Sequence, residues 1–274
     1  MKTENPWLHR YAIFVAFVAL LAIAAGALLT SLEHPLAPRT LLVYFDPAAY
    51  RSGVWHHMIG GVAVVLALGL AIWLRSQAGW IALLAALIEG GLGFDSPGPI
   101  LPILHALFAQ ILFGSLVAIA MQTSASWKRG PEPIDDTWNP SMRSLSYAVP
   151  LIILLQTTLG AAYRYHAIGV IWHIMNAMLV LLLILIVAVF LIRQFPTHPT
   201  LRPAAVALAV ITSIQVLLGF TTFMMLILFP ETSLAVVITS VLHVATGALT
   251  LGAGYALAIL IRYNVRDTRS LTGQ

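Results

Sequence analysis

Eight apolar runs divide this chain of 274 residues, at about 11–31, 54–75, 79–95, 100–122, 144–163, 169–193, 204–229 and 234–262. Each is near the roughly 20 residues that a helix needs to cross a bilayer core, the third being the shortest. In lipid every backbone polar group must find its partner inside its own segment, so runs of this length are read as transmembrane helices. The alternation expected of membrane-barrel strands of ~10 residues is absent. At 60% hydrophobic and 9% charged residues, the chain carries more apolar surface than a soluble domain of this size needs. The expected fold class is an all-α membrane protein with eight spans.

Turn-forming residues punctuate the runs, as at Ser96-Pro97-Gly98-Pro99, Lys128-Arg129-Gly130-Pro131, Phe195-Pro196 and Pro230-Glu231. With the N-terminus inside, the inner segments hold Lys2, Arg10, Arg75, Lys128, Arg129, Arg143, Arg193, Arg202, Arg262, Arg266 and Arg269. The outer loops hold only Arg39, Arg51 and Arg164. Such a bias fixes both termini on the cytoplasmic side of a bacterial-type cytoplasmic membrane. The net charge of +4 is then a topology signal, and no nucleic-acid partner is implied. The polar stretch Met1–Arg10 runs into a full-length span rather than a short signal-peptide core, so the first helix is read as retained.

The two halves of the chain resemble each other. Ile88-Glu89-Gly90-Gly91-Leu92-Gly93-Phe94 parallels Ile214-Gln215-Val216-Leu217-Leu218-Gly219-Phe220, and Leu104-His105 heads the fourth run as Leu242-His243 heads the eighth. Gln156-Thr157-Thr158-Leu159-Gly160 repeats the same theme. Because the matches keep helix order, the chain reads as two duplicated four-helix bundles. These are an N-terminal half over 1–122, a cytoplasmic linker over 123–143 and a C-terminal half over 144–274. An even number of helices per repeat makes the repeats parallel, related by an axis along the membrane normal.

Four histidines, His57, His105, His173 and His243, stand near the outer ends of alternate runs. Imidazole is costly at membrane depth, and one such residue is as readily an interhelical hydrogen-bonding group as a ligand. Four at matched depth in a duplicated frame point to two pairs of axial ligands for haem iron, His57 with His105 and His173 with His243. His56 abuts His57 and competes for its role. Trp55-His56 echoes Trp172-His173, whereas Gly53-Val54 precedes His57 by the offsets at which Gly169-Val170 precedes His173. The second correspondence favours His57.

Glycines Gly60, Gly61, Gly93, Gly160 and Gly219 would let a flat macrocycle approach the backbone. Arg164 is the first candidate for a haem propionate in the second half, with Arg51 and Arg39 weaker candidates in the first. His9, His34, His166 and His198 fall in terminal or loop segments and read as solvated. Glu89 stands out among the polar span residues Gln110, Gln156, Gln215 and Asn176, since a carboxylate there must be paired or functional. Met58, Met121, Met175, Met178, Met224 and Met225 read as packing residues. With no cysteine, disulfides, thiolate ligands, iron–sulfur clusters and covalent haem attachment are excluded.

The chain resembles the haem A synthase family of cytochrome oxidase assembly proteins along nearly its whole length. The resemblance is carried by Leu155-Gln156-Thr157-Thr158-Leu159-Gly160-Ala161-Ala162-Tyr163-Arg164 with His173 following, by His105-Ala106-Leu107-Phe108-Ala109-Gln110, by His243-Val244-Ala245-Thr246-Gly247-Ala248 and by Gly26-Ala27-Leu28-Leu29-Thr30-Ser31. It implies an oxidoreductase that turns a methyl group of haem O into the formyl group of haem A. Haem b would be the cofactor, held at His173 and His243, and the substrate haem would be held at His57 and His105. It also implies haem O synthase and a terminal oxidase assembly as partners, and leaves room for a homo-oligomer. Where many members carry a glutamate three residues before the first histidine and an arginine after it, this chain has Val54 and Met58. No catalytic residue is assigned, and nothing in the spacing puts Glu33 or Asp46 in that glutamate's place. The alternative is a non-catalytic b-type haem protein that passes electrons or handles haem in a respiratory assembly.

Overall fold

The computed structural model describes residues 5–32, 47–93, 98–136 and 141–267. Lys2, Glu33, His34, Arg39, Asp46 and Arg269 lie outside the described residues. The long helices, in chain order, are α1 (Pro6–Leu32), α2 (Pro47–Leu74), α3 (Gln77–Leu92), α4 (Ile100–Gln122), α6 (Met142–Arg164), α7 (Val170–Gln194), α8 (Leu201–Leu228) and α9 (Leu234–Asn264); α5 (Ala125–Lys128) is a single turn. Seven of them are long and apolar enough to cross a membrane. The exception is α3, whose 16 residues span only about 24 Å at the α-helical rise. The molecule is a helical, multi-pass membrane protein.

Helix ends follow the punctuation in the sequence. Ser76, Ser141 and Ser233 cap α3, α6 and α9, each hydroxyl accepting from the backbone N–H three residues on. Arg75 takes a positive φ of 47° to turn α2 tightly into α3. Two of the histidines read as solvated have structural duties instead. His198 Nδ1 accepts from the N–H of Leu201 at 3.2 Å and so caps α8. His9 Nδ1 donates to the Ala120 carbonyl at 2.9 Å, tying the start of α1 to the end of α4.

Packing closes two rings of helices. In the first, α1 contacts α2 and α4, and α3 lies between α2 and α4; in the second, α6 contacts α7 and α9, and α8 lies between α7 and α9. The rings meet where α9 crosses α1 and α4, and where α4 crosses α6. Without a hydrophobic force between helices in lipid, close approach depends on small residues and shape. The first core has them at helical spacing: Ala12, Ala16 and Ala19 on α1, Ala67 and Ala71 on α2, and Ala82 and Ala86 on α3 are all buried. The second core uses larger side chains, among them Val180, Ile184, Leu191, Leu208, Leu251 and Ile261. Outward, Leu182, Ile186, Leu217 and Phe220 are exposed, as a lipid-facing surface requires.

One feature departs from the all-helical expectation. After α4 the linker forms α5 and then a strand, β1 (Ile134–Asp136), which pairs in parallel with β2 (Val265–Asp267) directly after α9. Asp135 faces Arg266 across this pair. Stacking of Trp127 on Tyr263, with centroids 3.8 Å apart, and a 2.8 Å hydrogen bond from the Glu132 N–H to Asn264 Oδ1 complete the clasp. Three-residue strands carry too little pattern to be read from sequence. They tie the linker between the rings to the end of α9, at the end of the bundle away from the histidines.

Candidate functional site

The site rests on one local device, built once in each of four consecutive helix pairs. The second helix of each pair carries a histidine in its first turns, and the first helix carries a glycine near its end. Gly26 meets His56, Gly93 meets His105, Gly160 meets His173 and Gly219 meets His243. A Cβ placed on these glycines would lie 3.0, 3.3, 2.9 and 2.8 Å from the Cε1 of the respective ring. Ordinary carbon contacts are about 3.5–4.0 Å, so any larger residue would push the imidazole out of place.

The residue four positions before each glycine supplies the next contact. His56 Nδ1 donates to the Ala22 carbonyl at 3.1 Å, His105 Nδ1 to that of Glu89 at 3.1 Å, and His243 Nδ1 to that of Gln215 at 3.2 Å. A carbonyl can only accept, so in these three rings Nδ1 holds the proton and Nε2 holds the lone pair. The fourth pocket substitutes a side chain. Gln156 Nε2 donates to the His173 carbonyl at 3.0 Å and stands 3.0 Å from His173 Nδ1, while Gln156 Oε1 accepts from Asn176 Nδ2 at 2.8 Å. Because an amide can present either end, His173 has the least constrained tautomer of the four.

These devices bring the rings together in twos. His173 and His243 lie with centroids 6.2 Å apart and planes at 88°. In the first ring of helices the partner of His105 is His56, at 5.9 Å and 90°. The expectation gave this place to His57, but the structure leaves the His57 side chain exposed, with its ring 5.6 Å from that of His56. Successive residues on a helix point about 100° apart, so only one of two adjacent histidines can face inward. The ring that faces His105 follows the Trp55-His56 echo of Trp172-His173 rather than the Gly-Val offset. Gly26 was the pocket glycine that sequence reading missed, because Ala22 before it carries no polar marker of the kind supplied by Glu89, Gln156 and Gln215.

Other expected contributors fall differently. Gly60 and Gly61 face open space, with nothing within 4 Å of an added Cβ, so neither packs against an imidazole as the four cradle glycines do. Arg164 reaches across from α6 to α1, where Nη2 donates to the Ala27 carbonyl at 2.8 Å and to Ser31 Oγ at 2.6 Å. It thereby grips the turn of α1 that follows Gly26. Arg51 is exposed on the first turns of α2. Val54 and Met58 are exposed beside His57, and Met175 and Met178 are exposed on α7. Glu89 sends Oε1 to within 3.2 Å of His105 Nδ1. Gln110 and Gln215 are set apart by buried side-chain oxygens with no hydrogen bond among the described residues.

Glycine substitutions separate the cradles from the other glycines. Gly219→Ala is expected to destabilise the protein by about 1–3 kcal/mol through overpacking against His243. Gly60→Ala should instead be neutral, or stabilising by up to about 1 kcal/mol through helix propensity. Thermal unfolding of the two variants in detergent checks this.

Comparison with known proteins finds no matching family model and no matching curated protein.

Proposed function

We propose that this chain is a haem-binding membrane oxidoreductase of the haem A synthase kind, with His56 and His105 holding one iron porphyrin and His173 and His243 the other. The observation that carries the reading is the spacing of the two ring pairs. An imidazole nitrogen lies about 2 Å from a bound first-row metal ion, and about 1 Å from its own ring centre, so two ligands on one ion have centroids roughly 6 Å apart. Both pairs fall there, at 5.9 and 6.2 Å. The Nδ1 bonds to backbone carbonyls are those that metal-binding histidines use to keep Nε2 unprotonated and the ring fixed. At His173 the Gln156 side-chain amide stands where the other three pockets have a backbone carbonyl.

The wider reading follows from the same repeat. Eight spans, α3 included, form two duplicated four-helix halves with both termini cytoplasmic, which puts all four ligands near the outer face of a bacterial-type cytoplasmic membrane. Arg164, bonded through Nη2 to α1, is the proposed propionate partner, with no bond from Nε or Nη1 among the described residues. Haem O is the proposed substrate at the first pair, and haem b the cofactor at the second. When bound, the cofactor supplies one-electron chemistry with oxygen. The residues of the chain fix the two ring planes, set the donor nitrogens and exclude water from the span.

A second reading, a non-catalytic b-type haem protein, is favoured by a specific observation. With His56 as the inner histidine, the position three residues earlier is Gly53 and the one following is His57. Neither register supplies the glutamate and arginine of the resembling family. Coexpression with a source of haem O, followed by mass analysis of extracted haems, decides between them. A hydroxymethyl or formyl product is expected of the synthase. Unmodified haem alone would leave the electron-transfer or haem-handling role.

A further inference from the structure

The position four residues before each cradle glycine is occupied by Ala22, Glu89, Gln156 and Gln215, so one pocket of the four carries a carboxylate. Glu89 Oε1 stands 3.2 Å from His105 Nδ1, which also donates to the Glu89 backbone carbonyl at 3.1 Å. Both side chains are largely buried, with relative exposures of 20% for His105 and 17% for Glu89. The matching position in the second half is Gln215, whose carbonyl alone receives the His243 proton and whose Oε1 makes no hydrogen bond among the described residues.

A carboxylate accepting from the far nitrogen of a ligand imidazole makes that ring a stronger electron donor to the metal than a neutral carbonyl does. Hydrogen bonding and charge around an axial ligand are among the levers that set a haem reduction potential. We propose that Glu89 is a positioning residue for His105, and that it makes the haem at the His56–His105 pair harder to reduce than the haem at the His173–His243 pair. The inference rests on the haem reading above. Electrons entering the protein then settle at the second pair, and the asymmetry is built from two residues at equivalent places in the repeat.

The test is a spectroelectrochemical titration of the full, haem-loaded chain in detergent. Wild type is expected to show two midpoint potentials, the lower one absent from His56→Ala. Glu89→Gln keeps the shape of the side chain and should raise the lower midpoint while leaving the upper one in place. Gln215→Glu should lower the upper midpoint alone, and it decides the matter if Glu89→Gln does not fold. Midpoints unmoved by either variant, or a response to Glu89→Gln in the upper one, overturn the proposal. A wild-type protein that takes up no haem overturns the haem reading itself, and does so before any variant is compared.

Discussion

His243→Ala is expected to remove the low-spin, six-coordinate b-type spectrum of the second site, and His173→Ala to do the same. The ring of His243 is held by the Gln215 carbonyl on one side and packed on Gly219 on another, opposite His173. Truncation to alanine removes the donor nitrogen, and the pocket has no sulfur or carboxylate at the glycine-minus-four position to replace it. A metal-binding contribution is worth far more than the roughly 2–5 kcal/mol that truncating a buried side chain costs through packing. The effect on the spectrum should therefore be all or none, whereas the effect on folding should be partial. Added imidazole separates the two, because a small ligand can enter the space left by the ring and restore the spectrum without restoring the side chain. An unchanged spectrum in either variant would show that this pair does not hold the iron.

How much of this was legible in the sequence depends on the length scale of each signal. Long apolar runs located the long helices: the first, fifth and eighth expected segments lie inside longer helices, and the fourth coincides with α4. The second, third and seventh, expected to reach 75, 95 and 229, stop at Leu74, Leu92 and Leu228, and the sixth, expected from 169, starts at Val170. Helix α2 starts at Pro47, earlier than the run at 54, because Ala48, Ala49 and Tyr50 are compatible with helix although they are flanked by charge. The β1–β2 clasp was hidden, since three residues per strand show no periodicity and its partner lies 131 positions away in the pair Ile134↔Val265. At the site, the depth and spacing of His105, His173 and His243 were readable because a single histidine marks each helix. The glycine cradles were only partly readable. Sequence showed the shared Leu-Gly steps at Leu92-Gly93, Leu159-Gly160 and Leu218-Gly219, but not that each glycine would meet the imidazole of the following helix. That relation spans between 12 and 30 residues, from Gly93 to His105 and from Gly26 to His56, and no fixed spacing could reveal it.

His56→Ala is expected to eliminate haem binding at the first pair, and His57→Ala to leave it intact. The two residues are neighbours, so the comparison isolates helix rotation from every other variable. The His56 ring takes its place through a 3.1 Å bond to Ala22 across the α1–α2 contact, and it faces His105 edge-on at 5.9 Å. His57, about 100° further round the helix, is exposed on the face it shares with Val54 and Met58. An exposed substitution of this kind changes stability by no more than about 0.5 kcal/mol. The His105→Ala variant should match His56→Ala, and both should spare the signal of the second pair, because the cradles of the two pairs share no glycine and no carbonyl. Loss of first-site haem in His57→Ala with retention in His56→Ala would mean that α2 is turned by one residue, with His57 rather than His56 facing His105. Loss of both haems in any single variant would mean that the pairs do not act as separate sites. Haem content by pyridine haemochrome, measured on the same purified samples, distinguishes these outcomes.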